Sequence, residues 1–276
     1  MVAVSPSLSD TRDALAAEWA RRNPSTPEEI AAFYRESEAL GADLDAWHQT
    51  PERAAWTQFI VNVAAANKVQ SVLDVGAGVG HDLKALFDSL SYGALFVAVE
   101  PNGALRYQMP QGIHTYGGLV ALDDRQYDLV LCIDVLEHVP DPDALLAQVM
   151  ERVKVGGLLI EATATHDQST PLHLPQIEGW EATQTLQKNG FVPVETLGRL
   201  VVWQRHEVET MPTVLVVAHR EVCVPTIECL FELVGAGWPV GFVYGDALID
   251  RARAKAVSSW YLNETSDVFL MIDDDI

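Results

Sequence analysis

Two stretches of the chain hold residues whose types and spacing suit chemistry. The first is Val72-Leu73-Asp74-Val75-Gly76-Ala77-Gly78-Val79-Gly80, a short apolar run that carries an acid and opens into a glycine-rich turn. Glycines let the backbone turn tightly and approach a ligand without a Cβ in the way, and a helix starting at His81 or Asp82 presents unpaired N–H groups to it. An anionic or nucleotide-like ligand is expected there. A dinucleotide fingerprint reads G-x-G-x-x-G, but here the third glycine falls one residue early, at Gly80, and His81 stands in its place. Asp74 would repel a pyrophosphate yet pair well with a cationic amino-acid group, a combination that favours S-adenosylmethionine. The second stretch is Asp273-Asp274-Asp275, which ends the apolar run Val268-Phe269-Leu270-Met271-Ile272. Adjacent carboxylates repel one another until a divalent cation neutralises them.

The elements that position these groups can be read from periodicity and punctuation. Residues 8–67 read as helices: Thr26-Pro27-Glu28-Glu29 supplies an N-cap, a proline at the first helical position and a capping-box glutamate, and Gly41 follows Leu40 as a stop. A further start at Thr50-Pro51 leads into Trp56, Phe59, Ile60 and Val63 at helical spacing. These helices form either a lid over the site or a packing layer on the sheet. From Ser71 onward, strands are expected at 71–75, 95–99, 128–133, 157–162, 191–197 and 200–206, with helices near 81–90, 103–108, 142–153 and 178–189. Gly156-Gly157 and Gly190 read as helix stops. Such alternation means a parallel sheet covered on both faces. Gly198-Arg199 is too short for a crossover, so the last two strands must pair as an antiparallel hairpin. Beyond the polar stretch 207–212, a new alternation gives strands at 213–218, 240–244 and 268–272 and helices at 224–234 and 247–262. The expected organisation is a helical segment over 1–69, an α/β domain over 70–207, a linker at 208–212 and a truncated second α/β unit over 213–276.

Composition narrows the partners. The 276 residues carry 39 Asp plus Glu against 18 Lys plus Arg, a formal net charge of -21, which argues against the basic footprint that nucleic-acid binding requires. The three cysteines, Cys132, Cys223 and Cys229, are odd in number and lack metal-ligand spacing, as expected of reduced thiols. The N-terminus has no basic region followed by an apolar core, and no apolar run is long enough to span a bilayer. A cytoplasmic protein without membrane insertion is the expectation.

With the strands placed, residues 70–206 resemble a class I S-adenosylmethionine-dependent methyltransferase of the small-molecule type. The resemblance rests on VLDVGAGVG, on VAVEP ending the second strand, on YDLVLCIDVLEHVPDP around the fourth, and on VKVGGLLIEAT leading into the fifth. It implies a Rossmann-like seven-stranded sheet closed by the hairpin. It places Asp74, Gly76 and Gly78 around the methionine moiety, puts Glu100 where a carboxylate accepts both ribose hydroxyls, and adds Ala77, Pro101 and Asp134 to the cofactor set. Asp134 either touches the ligand or caps the helix near Pro142. One feature departs from the family pattern: relatives carry an acid for the adenine amino group at the end of the third strand, where this chain has Gly117 and Gly118. Asp123, Asp124 or a backbone carbonyl is left to make that contact. Ile133-Asp134-Val135-Leu136 is not the Asn/Asp-Pro-Pro-aromatic run of amine and amide methyltransferases, so transfer to oxygen of a small molecule or saccharide is implied. A hydroxyl acceptor benefits from a general base. His173 is the first candidate, with His138 and His48 behind it.

Residues 213–276 resemble the nucleotide-sugar-binding half of a GT-A glycosyltransferase, with Asp273 and Asp275 as an Asp-x-Asp motif for Mn2+ or Mg2+. Arg251 or Arg253 would contact phosphate, and His219, Arg220 and Asp246 would lie near the nucleotide base and ribose. The acceptor-binding half of that family would follow Ile276, so sugar transfer by this chain is not expected. The readings that compete with a methyltransferase fused to this unit are a nicotinamide oxidoreductase using the same crevice and a non-catalytic nucleoside-binding or scaffolding protein.

Overall fold

A computed structural model of the chain describes residues 7–37, 39–90, 93–164, 174, 180–207, 213–218, 240–244 and 269–273. The chain divides into two compact units, Met1–Glu207 and Val208–Ile276. In the first, the helix starts act where the sequence puts them. Helix α1 (Leu8–Arg22) opens on a capping box between Ser7 and Asp10, α2 (Pro27–Glu36) on one between Thr26 and Glu29, and α4 (Pro51–Ala66) on the Thr50 hydroxyl. Each such cap is worth roughly 1 kcal/mol. Gly41 is not a stop: the break falls at Ser37, in extended backbone, and Gly41 lies inside α3 (Ala39–His48). A Cβ on Gly41 would come within 3.1 Å of Leu105 Cδ2, so the missing side chain serves close packing instead.

The seven strands β1 (Ser71–Val75), β2 (Leu95–Val99), β3 (His114–Tyr116), β4 (Tyr127–Ile133), β5 (Val153–Ala162), β6 (Phe191–Leu197) and β7 (Leu200–Arg205) form one sheet in the order β3-β2-β1-β4-β5-β7-β6. Strand β1 pairs parallel with β2, from Ser71↔Leu95 to Val75↔Val99, and with β4 on its other side. β7 runs antiparallel to β5 and β6 and closes the sheet as a hairpin. β3 is too short and polar to give a periodic signal, with His114 and Thr115 both exposed. Gly156-Gly157 does not end a helix. Helix α7 (Pro142–Glu151) stops at Arg152, and the glycines lie inside β5, where the register against β4 shifts between Tyr127 and Leu129. A Cβ on Gly157 would sit 2.9 Å from the Lys154 carbonyl oxygen, so this bulge excludes a side chain.

Alternation along the strands divides the core between the sheet's two faces. Leu73, Val75, Val130 and Cys132 pack towards α7 and α8 (Ala182–Lys188), joined by Leu146, Val149 and Leu186. Val72, Leu129 and Leu131 pack towards α4 and α5 (His81–Ser89), joined by Trp56, Ile60, Leu83 and Leu86. A fully buried aliphatic side chain of this kind contributes about 1.5–3 kcal/mol. Within the second layer Arg53 of α4 forms a buried two-point ion pair with Asp82 of α5, and the Thr57 hydroxyl adds a third bond to Asp82. The helix that follows the glycine turn is thereby tied to the N-terminal helices.

The second unit is described as three parallel strands, β8 (Thr213–Ala218), β9 (Val240–Tyr244) and β10 (Phe269–Asp273), in the order β10-β8-β9. The helices expected at 224–234 and 247–262 and the linker 208–212 lie outside the described residues. Among the described residues no helix is long and apolar enough to cross a membrane.

Candidate active site

The strand order reverses beside β1, whose neighbours are β2 on one side and β4 on the other. In open parallel sheets a crevice forms at such a point, at the carboxyl ends of the strands. Here it is a cavity of about 400 Å³, walled by Gly76, Gly78, Glu100, Asp134 and His138 from the strand ends and covered by α1, α2 and α3. The N-terminal helices thus line the site as well as packing on the fold.

The glycine turn is held against the second strand, Gly76 N–H and Ala77 N–H both donating to the Val99 carbonyl, at 2.8 and 3.2 Å. Gly76 (φ +76°) and Gly78 (φ +56°) adopt left-handed backbone. A Cβ on Gly76 would collide with the Val135 side chain, and one on Gly78 would lie 2.9 Å from Leu44 of α3. Only glycine serves at these positions. Glu100, just beyond β2 and 5% exposed, accepts the Gly78 N–H through Oε2 at 2.9 Å and the Asn102 N–H through Oε1 at 2.8 Å. Burial raises its pKa, while the two N–H donors and the Arg106 charge pull it down. Each oxygen keeps lone-pair capacity for a further donor.

Asp74 shares the α4–α5 face with Val72 and is not among the lining residues; nor is Ala77, which packs against the same layer. The Asp74 carboxyl is 6% exposed and receives no hydrogen bond from the described residues. Its pKa is pushed well above the ordinary range by burial first, then by Asp82 and Glu100, with Arg53 opposing. Pro101 and Asp134 do line the cavity. Asp134 takes a left-handed conformation (φ +53°), its N–H bonded to the Ala162 carbonyl and its carboxylate paired at 2.9 Å with Arg199 from the β6–β7 turn. Helix α7 is capped by Asp141 instead.

His138 ends a 3₁₀ turn, Leu136–His138, that follows β4. Its Nδ1 lies 2.9 Å from the Tyr34 hydroxyl of α2. Burial raises the Tyr34 pKa, with the Glu137 charge adding to it, which keeps the phenol neutral. Asp43 of α3 accepts a bond from Thr11; burial lifts its pKa, and the charges of Arg12 and His138 lower it. Glu137, fully buried, accepts the Ala164 N–H through Oε1, which braces the segment leaving β5. His48 does not line the cavity; it stacks on His81 at 4.3 Å, and burial lowers its pKa to about 4. His173 and Asp275 lie outside the described residues, as do Arg251, Arg253, His219, Arg220 and Asp246. Asp273 ends β10. Asp123 and Asp124 are exposed and are not among the residues that line this cavity.

The profile of a family described as a methyltransferase domain matches residues 46–205. The chain belongs to that family. Among curated relatives, an uncharacterized methyltransferase of Mycobacteroides abscessus is 32% identical over 33% of this chain and 38% of its own length. A ubiquinone biosynthesis O-methyltransferase of Pseudomonas fluorescens is 30% identical over 41% of this chain and 50% of its own. The chain therefore spans half or less of the length of these relatives. An O-methyltransferase family protein from Burkholderia thailandensis superposes with a TM-score of 0.50 at 15% identity, over 73% of this chain and 72% of that one, and shares the fold. Family membership makes residues 46–205, in the first unit, a methyltransferase domain. Its cavity fits a nucleoside that carries a cationic amino-acid arm: the glycine turn excludes side chains, Glu100 retains acceptor capacity, and buried carboxyl groups surround the strand ends.

The site residues that sequence reasoning missed are Tyr34, Asp43, Arg12, Arg35 and Arg199. The Thr26-Pro27-Glu28-Glu29 box locates α2, yet nothing local tells which face of that helix turns inward.

Proposed function

We propose that the first unit transfers a methyl group to an oxygen of a small molecule or saccharide. The observation that carries this is Glu100 joining the glycine turn to the end of β2 at the wall of the cavity. In this reading Glu100 receives the ribose hydroxyls, Gly76, Gly78 and Pro101 shape the nucleoside and methionine subsites from the cavity wall, and Asp74 and Ala77 support the turn from behind it, where an approaching ligand ammonium would draw the Asp74 carboxyl towards its charged form. The bound cofactor supplies an electrophilic methyl group. Asp134, held by Arg199, stands between cofactor and acceptor.

His138 acts as the general base. Because Tyr34 stays a neutral phenol, its oxygen can accept from His138 Nδ1–H, and in that tautomer Nε2 is the basic nitrogen that takes the acceptor's proton. Asp43 and Glu137 favour the imidazolium that results. His173 remains the alternative base. A cytoplasmic location belongs to the same reading, consistent with Cys132, a buried free thiol.

Titration with S-adenosylmethionine, S-adenosylhomocysteine and NAD tests the cofactor; binding of NAD without the adenosyl ligands would overturn the reading. His138→Ala should then lower kcat by about 10²-fold or more at unchanged S-adenosylhomocysteine affinity, the usual contribution of a positioned base. If His173→Ala carries that loss and His138→Ala does not, the base is His173.

For residues 213–276 we propose the nucleotide-sugar half of a GT-A glycosyltransferase. The all-parallel order β10-β8-β9, which brings Asp273 to the carboxyl end of β10 beside β8, favours it. Mn2+ or Mg2+ at Asp273 and Asp275 would be the metal. Calorimetry with UDP-glucose should show heat only when Mn2+ is present, and that heat should vanish in Asp273→Asn.

A further inference from the structure

In a chain with 39 acidic residues and 18 Lys plus Arg, arginines left without any ion-pair or hydrogen-bond partner in the wall of a cavity stand out. Arg22, Arg53, Arg125 and Arg199 pair with carboxylates, and Arg106, Arg152 and Arg205 donate to backbone carbonyls. Among the described residues the guanidinium groups of Arg12 and Arg35 have neither an ion pair nor a hydrogen bond, and both line the cavity. They come from different helices, α1 and α2, and both are exposed. Arg12 lies over the Trp47 ring, 5.8 Å from its centroid, which orients it without consuming its N–H donors.

Among the described residues no acid of the same wall forms an ion pair with either guanidinium. Asp43 is bonded to Thr11 and meets Arg12 only through longer-range charge attraction, and Asp13 is within ion-pairing distance of neither arginine. The same cavity wall carries an apolar stretch, Leu15, Ala16, Ile30, Ala31, Leu40 and Leu44, together with His138 and Asp134. One cavity thus combines cations, hydrocarbon and a base.

We infer that the methyl acceptor is an amphipathic anion: an apolar or aromatic body whose carboxylate or phosphate is gripped by Arg35 and Arg12 while its hydroxyl faces His138. This rests on the methyltransferase reading above. Guanidinium groups suit the role because their forked donors match planar carboxylates and phosphates in pairs. The two arginines are specificity-determining residues of the acceptor subsite and take no part in bond making.

The test uses the full chain saturated with S-adenosylhomocysteine, calorimetry, and four probes: benzoate and phenyl phosphate as anions, benzamide and benzyl alcohol as neutral counterparts. The expected result is that at least one anion binds about tenfold or more tightly than its neutral counterpart, that Arg35→Gln abolishes this preference, and that Arg35→Lys restores part of it. The anion preferred assigns carboxylate or phosphate. Arg21→Gln, which removes an exposed arginine outside the cavity wall, should leave all four affinities unchanged. Equal binding of anions and neutrals, or an anion preference that persists in the double variant Arg12→Gln/Arg35→Gln, overturns the inference while leaving the methyltransferase reading in place. Failure of S-adenosylhomocysteine itself to bind the wild-type chain removes both.

Discussion

Glu100 shows how a carboxylate can be built into the structure and still keep acceptor capacity for a ligand. Its two oxygens are each committed to a backbone N–H, one from the glycine turn and one from the residue that begins α6 (Gly103–Gln108). Glutamine is therefore not a neutral replacement: its amide NH2 would face a donor at one of the two positions. Both Glu100→Gln and Glu100→Ala should weaken S-adenosylhomocysteine binding by roughly 10- to 100-fold, equivalent to about 1.5–3 kcal/mol for a hydrogen bond to a charged group. The wild-type affinity should also fall on acidification. Because burial sets the Glu100 pKa above its ordinary 4.5, the loss should be centred above that value and be absent from the Glu100→Ala profile. A wild-type affinity that stays constant from pH 7 down to pH 4 would remove Glu100 from the ligand. At this scale the glycine turn was readable because its requirement is local: no other residue accepts those backbone angles without a clash. Asp74 was readable as an important acid but not as one lying behind the wall, because its direction follows from strand pleat and the packing of α4 and α5.

At the scale of elements, β5 carries a carboxyl group that the cavity does not use. Glu161 is 6% exposed, registered against Cys132 of β4 and Val201 of β7. Burial raises its pKa to about 7; Thr163 opposes by donating to it, Glu137 and Asp134 add to the rise, and Arg199 resists it. The folded chain thus holds this proton more tightly than the unfolded one, whose glutamates titrate near 4.5. Stability from the protonated group is complete below about pH 4.5 and is lost as pH rises through about 7, for a total of about 3 kcal/mol. Glu161→Gln, which keeps an acceptor for Thr163, should match wild type in urea unfolding at pH 4.5 and exceed it by that order at pH 8. A variant no more stable than wild type at pH 8 would contradict this. The parallel strands and helix starts were legible because apolar runs and capping boxes are short-range signals. The bulge at Gly156-Gly157 was not, since a glycine pair reads equally as a helix stop until β4 fixes the register. The role of α1 to α3 was also hidden. Asn102, whose amide donates to the carbonyls of Tyr34 and Ser37 while its oxygen caps α6, docks α2 at the cavity through contacts 65 and 68 residues apart in sequence.

At the scale of the molecule, the first unit holds the methyltransferase domain with both apolar layers, the crevice beside β1, and the helices that cover it. Among the described residues, its hydrophobic clusters and its cavity draw on residues of Met1–Glu207. A unit that buries its own core folds by itself. Truncation after Glu207 should therefore leave the S-adenosylhomocysteine dissociation constant within about twofold of the full chain and preserve a cooperative unfolding transition, both measurable on the purified fragment. The same fragment should lose any Mn2+-dependent heat with UDP-glucose, because β8, β9 and β10 are removed with it. If truncation instead abolishes binding of the adenosyl ligand, the second unit supports the first, and the two cannot be treated as independent binding modules. A fragment that keeps the adenosyl ligand and loses only the metal-dependent heat would assign each ligand to its own unit.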